Sequence, residues 1–235
     1  MFICYIRKMI TFHVISIFPE SLESYLGASI IGRAKKDGYI SIKYYNPRDF
    51  VKGSRPSKTL TYAERRVDDR PYGGGPGMVM EALPIIRAIE KAIGSKIKKS
   101  KSSVKIVFFS PSGKQFDNAI AETYKKYSDI VFVCGRYEGV DARIKKVFPM
   151  VDISVGPYVL TGGELPALIM IDSITRRIKG VLGHDSSIEE SRISSPDVYT
   201  RPEVIEYKGK KYKVPKVLLS GHHEKIDSWK IKRKV

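Results

Sequence analysis

Three segments of this chain combine glycine with groups that could work on a ligand: Ser110-Pro111-Ser112-Gly113, Gly135-Arg136-Tyr137-Glu138-Gly139, and Gly156-Pro157-Tyr158-Val159-Leu160-Thr161-Gly162-Gly163-Glu164. Glycine lets the main chain approach a flat molecule closely, and each of the last two segments adds a carboxylate. Together they suggest a pocket where backbone amides and an acid meet a planar ligand such as adenosine; spacing alone does not name it. The common nucleotide signals are missing. No GxGxxG follows a strand, and Gly113-Lys114 lacks the upstream glycine and the hydroxyl residue of a phosphate loop. His13, His184, His222 and His223 form neither HExxH nor a spaced set with cysteine, so no structural zinc is expected.

Each of the three turns follows an apolar run, at residues 104–109, 130–134 and 151–155. Continuous rather than alternating apolar strands between helices indicate a parallel sheet covered on both faces, and ligands bind at the carboxyl ends of such strands. The rest of the pattern agrees. Residues 10–18 and 39–45 read as strands, while 21–36, 82–93, 116–127, 140–148 and 164–177 read as helices, the first closed by Gly38. The repeated order of strand then helix predicts an α/β fold. The polar stretch 46–69 and the glycine-rich 71–77 are too long for a simple connection, which marks functional or mobile chain.

Beyond the main domain, expected over residues 1–178, a Gly-, Ser- and Asp-rich linker runs over 179–200. A small basic domain follows at 201–235, with a helix over about 222–234; it is too short to hold a core alone and should dock on the first domain or on a second subunit. Residues 1–8 are apolar and then basic, the reverse of a secretory signal, and Met9 follows them, so they read as an N-terminal extension.

The chain carries 42 Lys and Arg against 25 Asp and Glu, a net charge of +17 that favours polyanions such as nucleic acid. Residues 207–235 hold ten of those cations against Glu224 and Asp227, interleaved with Tyr207, Tyr212 and Trp229 as an RNA-facing surface would be. The five lysines of 96–105 look instead like a solvated loop tip. Cys4 and Cys134 have no CxxC spacing, which points to a reducing compartment, and no apolar run approaches the roughly 18 residues of a membrane span. A cytoplasmic protein is expected.

Longer words carry a resemblance: DDRPYGGGPGM at 68–78, CGRYEGVD at 134–141, YVLTGGELPA at 158–167, GVLGH at 180–184 and YTRPE at 199–203. In this order, over about Met9 to Trp229, the chain closely resembles the bacterial tRNA (guanine-N1) methyltransferases of the knotted SPOUT superfamily. The resemblance implies a mostly parallel sheet with a deep trefoil knot, a small, mostly helical tRNA-binding C-terminal domain, and a homodimer whose active site lies between subunits. It implies methylation of guanosine-37, beside the anticodon, by S-adenosylmethionine. By matching positions Ser110, Pro111, Gly135, Glu138, Val155, Gly156, Pro157, Tyr158, Val159, Leu160, Thr161, Gly162 and Gly163 would line the cofactor; Asp68, Gly77, Met78 and Arg201 would meet the tRNA.

Guanine N1 carries a proton, so methylation there needs a base, a donor for charge moving onto O6, and an in-line sulfonium methyl on a base that has left its stack. Arg176 matches the family's catalytic arginine. The family's base, an aspartate followed by serine, falls at Glu190 followed by Ser191; Glu189 and Asp185 are the alternatives. Family members need Mg2+, for which no carboxylate cage is visible. The chain also departs from the family in a longer stretch at 51–66 and in ending soon after Trp229. Two other readings stand beside methylation of guanosine-37: the same fold acting on ribosomal RNA or a ribose, and an RNA-binding relative without activity.

Overall fold

The computed structural model describes residues 9–51, 61, 63–94, 103–183 and 197–232. Five parallel strands form one sheet in the order β2-β1-β6-β5-β7: β1 (Ile10–Ile15), β2 (Ile40–Tyr45), β5 (Val104–Gln115), β6 (Asp129–Val133) and β7 (Val151–Ser154). A two-residue antiparallel pair, β3 (Asp68–Asp69) and β4 (Val79–Met80), lies outside it. Every residue of β1 and β6 is buried, which explains why both are mainly apolar; the polar His13 and Asp129 among them meet each other at 2.9 Å.

Side chains alternate across these strands and divide the core in two. Ile10, Phe12, Val14, Ile130, Phe132 and Val107 face α1 (Glu20–Leu26), α2 (Ser29–Lys36), α4 (Asn118–Tyr124) and α6 (Glu164–Thr175). Ile15, Val131, Val133 and Ile106 face α3 (Ala82–Ile93) and the short α5 (Ile144–Val147). Sheet and helices here therefore form a three-layer α/β unit, as the strand-helix order implies.

Some expected boundaries move. The helix expected at 21–36 breaks in two: Gly27 caps α1 and Ser29 opens α2 with a left-handed φ of 48°. The strand expected at 104–109 runs on to Gln115, because Phe109 and Lys114 both register against Ile153 and residues 110–113 bulge out between them. Over 140–148 only Ile144–Val147 is helical; Val140 instead bridges to Met80.

Contacts divide the chain into Met1–Leu182 and Gly183–Val235. The second unit holds a hairpin, β8 (Val204–Tyr207) and β9 (Lys210–Lys213), then α7 (Lys216–Leu219) and α8 (His223–Lys232). The hairpin was not expected, although a glycine turn at Lys208-Gly209 sits between its strands. None of this unit's described residues is buried; its ring contact is Tyr199 with Trp229 at 6.3 Å.

Candidate active site

Three turns meet at the carboxyl end of the sheet: the bulge 110–113 within β5, residues 135–139 after β6, and 155–163 after β7. They enclose a cavity of about 250 Å3. Ser110, Pro111, Gly135, Glu138, Val155, Gly156, Tyr158, Val159, Leu160, Thr161, Gly162 and Gly163 line it, with Phe108, Phe109, Ile153 and Pro166 adding apolar surface; Pro157 is not part of the lining. The last turn crosses directly over the end of β6. A Cβ on Gly163 would stand 2.5 Å from the Cα of Cys134, so only glycine permits this approach. The Gly163 N–H donates to the Gly135 carbonyl at 3.1 Å across the same crossing.

Beneath the turns lies a buried ion pair that no spacing in the sequence announces. Glu164, in the first turn of α6 and 5% exposed, accepts from the Ser16 hydroxyl at 2.5 Å and lies 3.0 Å from the Arg136 guanidinium. The Arg136 contact is electrostatic rather than directional, since Glu164 Oε2 receives no well-aligned hydrogen bond at that distance. Arg136 also covers the Phe18 ring at 4.9 Å and donates to the Thr161 carbonyl at 3.5 Å. One acid thus ties the end of β1, the turn after β6 and the turn before α6. Beside it, burial together with the Glu164 charge pushes the Cys134 thiol well above its ordinary pKa.

The glycine-rich segment ahead of β4 packs along the 135–141 turn. Glu138 N–H donates to the Met78 carbonyl at 3.0 Å, Met80 N–H to the Gly139 carbonyl at 2.9 Å and Asp141 N–H to the Met80 carbonyl at 2.9 Å. Gly77 lies against the Glu138 side chain, where a Cβ would come within 2.6 Å. Tyr137, held in the left-handed region at φ 59°, lines the first cavity and also a second of about 240 Å3 with Arg48, Arg65, Arg66 and Asp68. Asp68, Gly77 and Met78 are thus gathered near the pocket. Burial, with Asp69 and Asp68 close by, raises the pKa of the Glu81 carboxyl in the same region.

Arg176 is elsewhere. It caps the carboxyl end of α6, whose start lines the pocket through Gly163 and Pro166; twelve helical residues put it about 18 Å from that rim. Its N–H donates to the Asp172 carbonyl at 3.0 Å, while the Asp172 carboxylate accepts from the Tyr25 hydroxyl at 2.7 Å. Arg201 belongs to the second unit. Glu190, Glu189 and Asp185 lie outside the described residues. Among the described residues no group of three or more His, Cys, Asp or Glu is placed to hold a metal ion, and no helix is long and apolar enough to cross a membrane.

The sequence profile of the family tRNA (Guanine-1)-methyltransferase TrmD matches residues 10–235. The chain belongs to this family. It is 42% identical over 234 residues to the tRNA (guanine-N(1)-)-methyltransferase of Buchnera aphidicola subsp. Acyrthosiphon pisum, covering 97% of this chain and 91% of that protein. The proteins of the same name from Clostridioides difficile and Escherichia coli O127:H6 are each 41% identical, covering 93% and 94% of this chain and 90% and 81% of theirs. Similarity over nearly the whole length includes all three turns of the pocket as well as the second unit.

Proposed function

We propose that this chain is a tRNA methyltransferase that places a methyl group on N1 of guanosine-37, 3′ to the anticodon, using S-adenosylmethionine. The observation that carries this reading is one cavity assembled from three strand-end turns in a chain that belongs, over residues 10–235, to the TrmD family.

The residues present fit that cofactor. Phe108, Phe109, Ile153, Leu160 and Pro166 offer apolar surface for adenine, the main chain of 155–160 offers donors and acceptors for its edge, and Glu138 suits a cationic sulfonium. When bound, the cofactor supplies an electrophilic methyl group. The chain must then hold the purine in line with it and handle two charges. Glu190, or its neighbours Glu189 and Asp185, takes the N1 proton, and Arg176 stabilises the charge that develops on O6. The glutamate is one methylene longer than the family's aspartate, and a displacement of that order at a reacting atom can change the rate about a hundredfold.

We further propose that the turn 155–163 and α6 form the trefoil knot, which the close crossing of Gly163 over Cys134 supports, and that the active site is completed by a second subunit. Within one chain the pocket and Arg176 stand at opposite ends of α6. Leu165, 57% exposed, and Ile169, 42% exposed, lie on one stripe of α6 with Asp172 and Arg176, and Tyr25 beside it is 49% exposed. If two copies pack α6 against α6 about a twofold axis with the helices antiparallel, Arg176 of each comes to the start of the other's α6, where the pocket is.

Transfer of labelled methyl from S-adenosylmethionine to tRNA transcripts tests the reading. Wild type should methylate a transcript with guanosine at position 37 and not one with adenosine there. Arg176→Ala and Glu190→Ala should each abolish transfer while leaving cofactor affinity within about twofold. Equal labelling of both transcripts would reject guanosine-37 as the target; full turnover of Glu190→Ala would move the base to a neighbour.

A further inference from the structure

The hairpin of the second unit turns at Lys208-Gly209, with φ of 48° and 73°, the left-handed pair of a type I′ turn. Ile205 stands opposite Tyr212 and Tyr207 opposite Lys210, so these four side chains share one face of the ribbon; Val204, Glu206, Lys211 and Lys213 share the other. All eight are exposed: Tyr207 is 61%, Ile205 55% and Tyr212 51% accessible. The ribbon has only two strands, and such a ribbon gains little stability by leaving aromatic surface in water.

The charge around that face is one-sided. Lys210 shares it and Lys208 stands at its turn, with the Lys208 ammonium 5.4 Å from the centre of the Tyr207 ring, while the hairpin's one acid, Glu206, lies on the other face with Lys211 and Lys213. Tyr207 and Tyr212 are diagonal neighbours across the ladder, about 7–8 Å apart. Two ring faces at that spacing among lysines match consecutive unpaired nucleotides, whose bases stack while their phosphates meet ammonium groups. An apolar protein partner would gain nothing from ammonium groups beside the two rings.

We propose that this hairpin face is a stacking platform for unpaired nucleotides of the tRNA, with Tyr207 and Tyr212 each taking a base and Lys208 and Lys210 holding the flanking phosphates. It rests on the reading that the substrate is a tRNA, and it adds where and how a single-stranded part of that RNA is held. The hairpin serves affinity and placement; it takes no part in methyl transfer itself.

Binding of tRNA to the full chain at one fixed salt concentration tests it, using wild type and three double variants: Tyr207→Ala/Tyr212→Ala, Tyr207→Phe/Tyr212→Phe and Tyr207→Leu/Tyr212→Leu. The alanine and leucine pairs should bind about tenfold more weakly or worse, while the phenylalanine pair, which keeps both π-faces, stays within about twofold. Cofactor affinity and thermal melting should be the same in all four, because these side chains are exposed. Wild-type affinity in the alanine pair overturns the platform, and so does full affinity in the leucine pair, which would indicate apolar packing. Absence of tRNA binding by the wild type itself would reject the substrate reading and the platform together.

Discussion

Glu164 connects segments that the chain keeps far apart: Ser16 at the end of β1, Arg136 after β6, and the start of α6. Removing one partner of a buried pair leaves the other uncompensated, so Glu164→Ala should cost about 3 kcal/mol in urea unfolding. This is the low end for such pairs, because the Arg136 side chain keeps 23% exposure. Glu164→Gln retains an acceptor for Ser16 and should lose less; a loss under about 1 kcal/mol for the alanine variant would show a contact worth no more than a surface pair. The turn residues of the pocket were readable because they stand in contiguous words. The Ser16 link spans 148 positions and leaves no local pattern, and an acid opening a helix looks like an ordinary response to the helix dipole. Arg136 lay in plain view within its segment, but only the fold shows what it touches.

At the scale of elements, buried strands such as β6 and the helix Ala82–Ile93 were legible because hydrophobic period reports burial directly. The break between α1 and α2 was not. Leu22, Leu26, Ile31 and Ala34 keep a near-helical spacing across it, so the apolar stripe survives while the backbone turns at Gly27. The bulge of β5 was hidden for the opposite reason: Ser110-Pro111-Ser112-Gly113 has turn chemistry, but whether a strand resumes after it is decided by pairing with β7. The crossing of the last turn over β6 gives the sharpest test of element packing. Gly163→Ala forces backbone against backbone and should destabilise the fold by about 1–3 kcal/mol, with S-adenosylmethionine rescuing less of the melting temperature than it adds to wild type. An unchanged melt would mean the crossing leaves room for a methyl group. Cys134, 1% exposed and with its thiol pKa raised, should resist thiol reagents at mildly alkaline pH in a Cys4→Ser background until the chain is unfolded. Rapid labelling of the native protein would place it outside the core.

For the whole molecule, net charge was visible in composition, whereas the hairpin was masked by its lysines, which break the alternation a strand would show. A charge of +17 should make tRNA binding fall steeply with ionic strength while cofactor binding barely changes; a flat tRNA response would remove electrostatics from the account. Arg176 of one subunit is proposed to serve the pocket of the other. Mixing chains tests it directly: Arg176→Ala, and Leu160→Trp to fill the pocket, are each expected to be inactive alone. If the site is shared, random reassociation in equal amounts should restore about a quarter of wild-type turnover, since half the dimers are mixed and each has one intact site. If pocket and arginine act within one chain, the mixture will stay as inactive as its parts.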